Sequence, residues 1–250
     1  AEPSGGAVPE EVVLAAGRGE EAAVLAWLDG GGWVDERFEY TFGDGSWASG
    51  MTLLMVAMGN GHVGLAEALL RRGADVSLQT SDSATALSSA AVNGHEKLVE
   101  LALRHGAEVN HQSNTCFTAL MDAAQEGHEQ IVDTLIRHGA EINLQSSKGY
   151  TALMNAASQD RELVVELLLR RGADVNKQSG NHHTALMLAA YNGHSAVVLR
   201  LLRAGADMKL RNVDGETALQ IAKEEGHAEC VEAFRTYLGE VTAARSKAPS

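Results

Sequence analysis

A chain of 250 residues with 45% hydrophobic residues is long enough to bury a core. Its formal net charge of −13 argues against nucleic acid as a main partner, because phosphate binding needs a basic field. No stretch is apolar enough to span a membrane, and residues 1–15 lack the basic start and long apolar run of a secretory signal.

Residues 1–8 are small and polar and are expected to form a flexible N-terminus. Pro9 to Ala16 reads as a first helix, with Pro and two Glu at its start. Gly17-Arg18-Gly19 is a turn, and Glu20 to Leu28 is a second helix ended by Gly30-Gly31-Gly32. Residues 33–50 carry Phe38, Tyr40 and Phe42 alternating with Glu39 and Thr41, a strand pattern, followed by the turn signal Gly43-Asp44-Gly45. This predicts an enlarged hairpin. Trp33, Phe38, Tyr40, Phe42 and Trp47 are five of the chain's eleven aromatics. Two roles stay open for them: a lid over the first helices, or an aromatic anchor for a partner.

From here the chain repeats. Thr-Ala-Leu recurs at Thr85, Thr118, Thr151, Thr184 and Thr217, always 33 residues apart, and Thr52 continues the series backwards with Leu53 in place of Ala. In the copy at Ser113 to Gln145, Thr118 is placed to cap a short helix whose Leu120, Ala123 and Ala124 share one face. Gly127 ends that helix. Ile131, Val132, Leu135 and Ile136 face inward on a second helix, which Gly139 stops. Glu141 to Ser147 leads as an extended finger into the next copy. One such unit cannot bury its apolar face alone, whereas stacked copies can.

The Thr-Ala-Leu run, the Ala-Ala pair, Asn93-Gly94-His95, Asn192-Gly193-His194 and the Gly172 to Asn176 motif together resemble the ankyrin repeat. The resemblance covers about residues 42–240, with a weaker copy extending to the N-terminus. It implies an all-α ankyrin-repeat solenoid of about seven helix-turn-helix units with β-hairpin fingers. The expected organisation is an N-terminal cap over 9–35, the enlarged hairpin over 33–50, six regular repeats over 47–239, and a tail over 240–250. Several features depart from the family pattern. Pro is absent after every capping Thr, and Met55, Met121, Met154 and Met187 stand where the family usually has His. The fingertip Gly becomes Ser83, Cys116 and His182, and Gly-His becomes Asp160-Arg161 in one unit.

No catalytic constellation is visible: there is no glycine-rich phosphate loop, nucleophile elbow or Cys-x-x-Cys. An enzyme, a cofactor and a metal are therefore not expected. His62, His95, His128, His194 and His227 recur once per unit at the start of a second helix, which assigns them to the framework. His111, Cys116, His182 and His183 lie in different fingers, without the tight local spacing of a zinc site. The Met column reads as packing between units. Arg71-Arg72, Arg104, Arg137, Arg170-Arg171 and Arg203 each fall at a helix C-terminus, where positive charge suits the dipole. Asn143 and Asn176 are expected to bond their own backbone; in the resembled family such residues can be substrates of an asparaginyl hydroxylase. Cys116 and Cys230 lie three units apart, beyond disulfide reach, so free thiols in a reducing compartment are expected. The compartment is expected to be intracellular, either the cytoplasm or an organelle reached with a removed targeting segment.

The resemblance implies a module that binds proteins through fingertips and the inner-helix face. The variable positions there give the candidate contacts: Phe117, Tyr150, His183, Tyr191, Asp122 and Asn155, with the hairpin aromatics Trp33, Phe38, Tyr40, Phe42 and Trp47. Two roles are compatible with this surface, a reversible adaptor and a fixed subunit of a larger assembly.

Overall fold

The computed structural model describes residues 7–41 and 45–246, and their side chains to residue 244. Among the described residues there are fourteen helices and one two-stranded antiparallel sheet. The chain divides into two compact units, Ala1–Ala123 with Arg137–Ala140, and Ala124–Ile136 with Glu141–Ser250.

In the first unit, α1 (Glu10–Arg18) packs on α2 (Glu21–Asp29) and on α3 (Leu53–Gly59), with β1 (Phe38–Thr41) and β2 (Trp47–Met51) between them in sequence. Helix α3 packs on α4 (Val63–Arg71) and on α5 (Ala86–Val92), and α5 on α6 (Glu96–Arg104). Helices α7 (Ala119–Glu126) and α8 (Glu129–Arg137) follow in sequence. In the second unit, α9 (Ala152–Ser158) packs on α10 (Glu162–Arg170) and on α11 (Ala185–Tyr191). Helix α11 packs on α12 (Ser195–Arg203) and on α13 (Ala218–Glu224), and α13 on α14 (Ala228–Ser246). Within the first unit α1, α3 and α5 thus pack in succession as inner helices, and within the second unit α9, α11 and α13 do the same.

Each regular inner helix starts the same way. The hydroxyls of Thr52, Thr118, Thr151 and Thr184 each accept from the N–H three residues on, at 3.3 Å, and in every case that residue is Met. Each cap is worth about 1 kcal/mol. In the two units without Met there, Ser88 and Gln220 return a bond to the N–H of Thr85 and Thr217 and complete a capping box. Met55, Met121, Met154 and Met187 are buried, as are Val56-Ala57 and the pairs Ala123-Ala124, Ala156-Ala157 and Ala189-Ala190 beside them, so the Met column is packing. The outer helices α4, α6, α10 and α12 lack a side-chain cap and are tied backwards instead. His62, His95, His194 and His227 donate from Nε2 to the carbonyls of Gly17, Gly59, Ser158 and Tyr191, each at the end of an earlier inner helix, at 2.8–3.1 Å. Arg161, which replaces His in one unit, donates from Nε to Gln125 O at 2.9 Å and does the same work.

Fingers differ from the expected hairpins in one respect: β1–β2 is the only strand pair among the described residues. The later fingers have too few residues for a ladder and close by a single backbone turn. Thr80, Ser113, Ser146, Ser179 and Asn212 donate their N–H to the carbonyl four residues on, at 2.9–3.0 Å. Their side-chain oxygens accept the N–H of that same residue, at 2.9–3.2 Å. The tips then turn through the left-handed region at Ser83, Cys116 and His182, with φ of 57–60°, as well as at Gly50, Gly149 and Gly215. Asp160 visits the same region, with φ of 55°.

Asn143 and Asn176 do not bond their own backbone. Their Oδ1 atoms accept the N–H of Asp174 and Asp207, one unit on, at 2.9 and 2.8 Å, and the carboxylates of those Asp residues in turn accept Asn176 N–H and Lys209 N–H. In the first unit Asp35 fills the Asn role and accepts Asp75 N–H at 3.0 Å. Burial, helped by repulsion from Asp75, raises the pKa of Asp35 against the lowering effect of that hydrogen bond. A raised folded-state pKa means the contribution to stability is full at acid pH, below the unfolded value, and is lost as pH rises through the folded one. Asp35→Asn is therefore expected to stabilise the protein at pH 7 by about 0.5 kcal/mol. The advantage should vanish near pH 3; thermal melts at both pH values check it, and an equal shift at both would overturn the electrostatic cause.

The last helix was expected to stop near Gly239. It runs to Ser246, into the expected tail. Gly239 weakens a helix but does not end it, and Arg203 Nε holds Glu240 at 3.1 Å beyond it.

Candidate functional site

In the first unit the enlarged hairpin has two distinct faces. Phe38 and Tyr40 are half-buried, while Glu39 and Thr41 between them are exposed. A Cβ on Gly17 would lie 3.4 Å from the Tyr40 hydroxyl, so Tyr40 reaches back to the end of α1. Phe38 lies opposite Met51, which is buried. Tyr40 and Phe38 thus share the inward face of the hairpin, Tyr40 against α1 and Phe38 opposite a buried strand residue. Trp47 lies opposite Thr41 and is 68% exposed, and Trp33 is 37% exposed. Phe42 lies outside the described residues. The register slips between Phe38 and Tyr40, a bulge that falls beside Gly50 with φ of 75°. Phe117 closes its finger by accepting from Ser113 N–H, with its ring half-buried, and Asp122 is half-buried on α7.

In the second unit Tyr150 and His183 occupy the finger position before the capping Thr and are half-buried. Tyr191 ends α11 and is 55% exposed. Asn155 is only 6% exposed, and its Nδ2 has no hydrogen-bond partner. With so little surface, it offers a partner almost nothing to touch. At the far finger Asn212 Nδ2 donates to Glu216 at 2.9 Å and holds that carboxyl below its ordinary range. Glu224, hydrogen-bonded to Glu216 and repelled by it, is raised.

The basic row at the outer helix ends is paired. Arg72 meets Asp29 at 2.7 Å, Arg171 meets Asp133, and Arg200 is held between Glu162 and Glu166. Among the described residues no three His, Cys, Asp or Glu side chains are placed to hold a metal. His111 donates to Ser83 O at 2.8 Å instead. Cys116 and Cys230 are free, and burial pushes the Cys230 thiol up to about 11. No helix among the described residues is long and apolar enough to cross a membrane.

One device escaped the sequence reading. Gln145 donates from Nε2 to Gly149 O at 2.7 Å in its own finger and to Gln178 O at 2.9 Å in the next. Gln178 repeats this with His182 O at 2.8 Å and Arg211 O at 3.2 Å. The signal was present: Gln-Ser recurs at 112, 145 and 178, again 33 residues apart.

Capped inner helices, outer helices tied backwards and fingers stitched to fingers define a repeat protein whose framework is spent on stacking. A family model described as ankyrin repeats (3 copies) matches residues 13–113, 53–146, 103–179 and 164–243, and the chain belongs to the ankyrin-repeat family. Its repeats are in general protein–protein interaction modules, typically without catalytic activity. No curated protein matches the chain.

Proposed function

We propose that the protein is a non-catalytic adaptor that binds a protein partner through its fingertips and inner-helix face. One observation carries this reading. Framework positions are buried or bonded from unit to unit, whereas Ala84, Phe117, Tyr150 and His183, one per finger, differ in chemistry and keep part of their surface open. Tyr191, at the end of α11 in the second unit, is 55% exposed. Half-open aromatics on a rigid frame are favoured binding anchors. Two free thiols fit an intracellular, reducing compartment.

Changing Phe117 and Tyr150 to Ala is expected to weaken partner binding by about tenfold while lowering the melting temperature little. Affinity purification from the source cells, read by mass spectrometry beside this variant, tests it. Substoichiometric partners lost in the variant support an adaptor. The second reading, a fixed subunit of an assembly, takes its support from the long α14, Ala228–Ser246, which carries an exposed Leu238. One stoichiometric set of partners surviving high salt would favour that reading. Unchanged binding with a large loss of stability would overturn the roles given to Phe117 and Tyr150.

A further inference from the structure

Trp47 is the most exposed large hydrophobic side chain among the described residues. It sits on the β1–β2 strand pair, so its direction is set by the pleat rather than by a free loop. Since Phe38 and Tyr40 turn inward, the opposite face of the hairpin carries Glu39, Thr41 and Trp47 into solvent. We infer that this open face takes a lysine or arginine side chain from a basic segment of a partner protein, the cation lying over the Trp47 indole beside the Glu39 carboxylate.

Charge decides the occupant. The segment 33–50 holds Asp35, Glu36, Glu39 and Asp44 against Arg37 alone, and the next finger, joined through Ser81 N–H to Ser49 O at 2.9 Å, adds Asp75 and Asp82. A second copy of the chain would bring its own charge of −13 to this face. Anionic lipid and nucleic acid are repelled for the same reason. An indole face attracts ammonium and guanidinium groups electrostatically, and the surrounding carboxylates steer them in. Neither an uncharged apolar segment nor an acidic one would use both features.

The inference rests on the protein-binding reading above, because it names the chemistry of one partner contact. Three fluorescein-labelled decapeptides, alternating Arg-Ser, Ala-Ser and Glu-Ser, serve as probes, with binding read by anisotropy and by quenching of indole emission. The Arg-Ser probe is expected to bind about tenfold more tightly than Ala-Ser, with no binding of Glu-Ser. Trp47→Ala should weaken the Arg-Ser probe about fivefold and remove the quenching, and Glu39→Gln should weaken it about twofold. Glu225→Gln, on the second unit, should leave it unchanged. Equal binding by Trp47→Ala, or equal loss with Glu225→Gln, would mean diffuse attraction and overturn the site. Equal binding of Ala-Ser and Arg-Ser would make Trp47 an apolar anchor and overturn the cationic partner. If no probe binds while purification still yields partners sensitive to Phe117 and Tyr150, this inference falls and the adaptor reading stands. Failure of both experiments removes both.

Discussion

Gly149→Ala is expected to cost about 3 kcal/mol, a large effect for one methyl group. Two separate strains add. Gly149 has φ of 80°, where a side chain costs about 1–2 kcal/mol. The new Cβ would also lie 2.5 Å from Gly180 N and 3.0 Å from the Ser179 Cα and carbonyl carbon, all backbone atoms that cannot rotate away. Relief requires the two fingers to part, which strains the Gly180 N–H to Lys148 O bond of 2.9 Å. Gly215→Ala is the control. It shares the left-handed backbone, with φ of 80°, but has nothing within 4 Å of the added carbon. It should lose only about 1 kcal/mol. Urea unfolding of both variants checks the pair, and equal losses would show that the close approach of the fingers contributes nothing.

Gln178→Ala is expected to lose about 2 kcal/mol through its two amide bonds, one inside its finger and one to the next. Gln178→Glu keeps the shape but replaces the donor with a carboxylate, which repels the carbonyls of His182 and Arg211. It should be at least as damaging. A Glu variant as stable as the parent would assign the residue to packing alone. Hydrogen exchange of the Gly180 and Val213 amides, which bond Lys148 O and Asn181 O, should accelerate in both variants.

The helical frame was legible because its signals are local and periodic. A Thr three residues before a buried Met or a capping partner, an Ala pair and a closing Gly each act within one turn, and the 33-residue spacing repeats them. Ser83, Cys116 and His182 stood out as replacements at a Gly position, and all three hold positive φ. The binding surface was less legible. Asn155 among Met and Ala reads as an exposed polar residue, yet it is buried. The hairpin aromatics could not be sorted until strand pairing put Phe38 and Tyr40 on one face and Trp47 on the other. The bond from Asp174 N–H to Asn143 was not legible because its two ends lie 31 residues apart, where no local pattern points. Beyond Gly239, α14 brings Glu240 to Arg203, also a distant contact.

The stitching between fingers sets where the chain can be divided. A cut after α12, at the end of one helix pair, would strip Asp207 N–H from Asn176, Arg211 O from Gln178 and Val213 N–H from Asn181. The finger left behind would keep its helices but lose what orders its tip. A cut after Glu216 leaves those three bonds intact. The smallest self-sufficient fragment therefore ends one finger later than the helix-pair frame marks, and a shortened protein inherits a sound edge only if it carries that overhang.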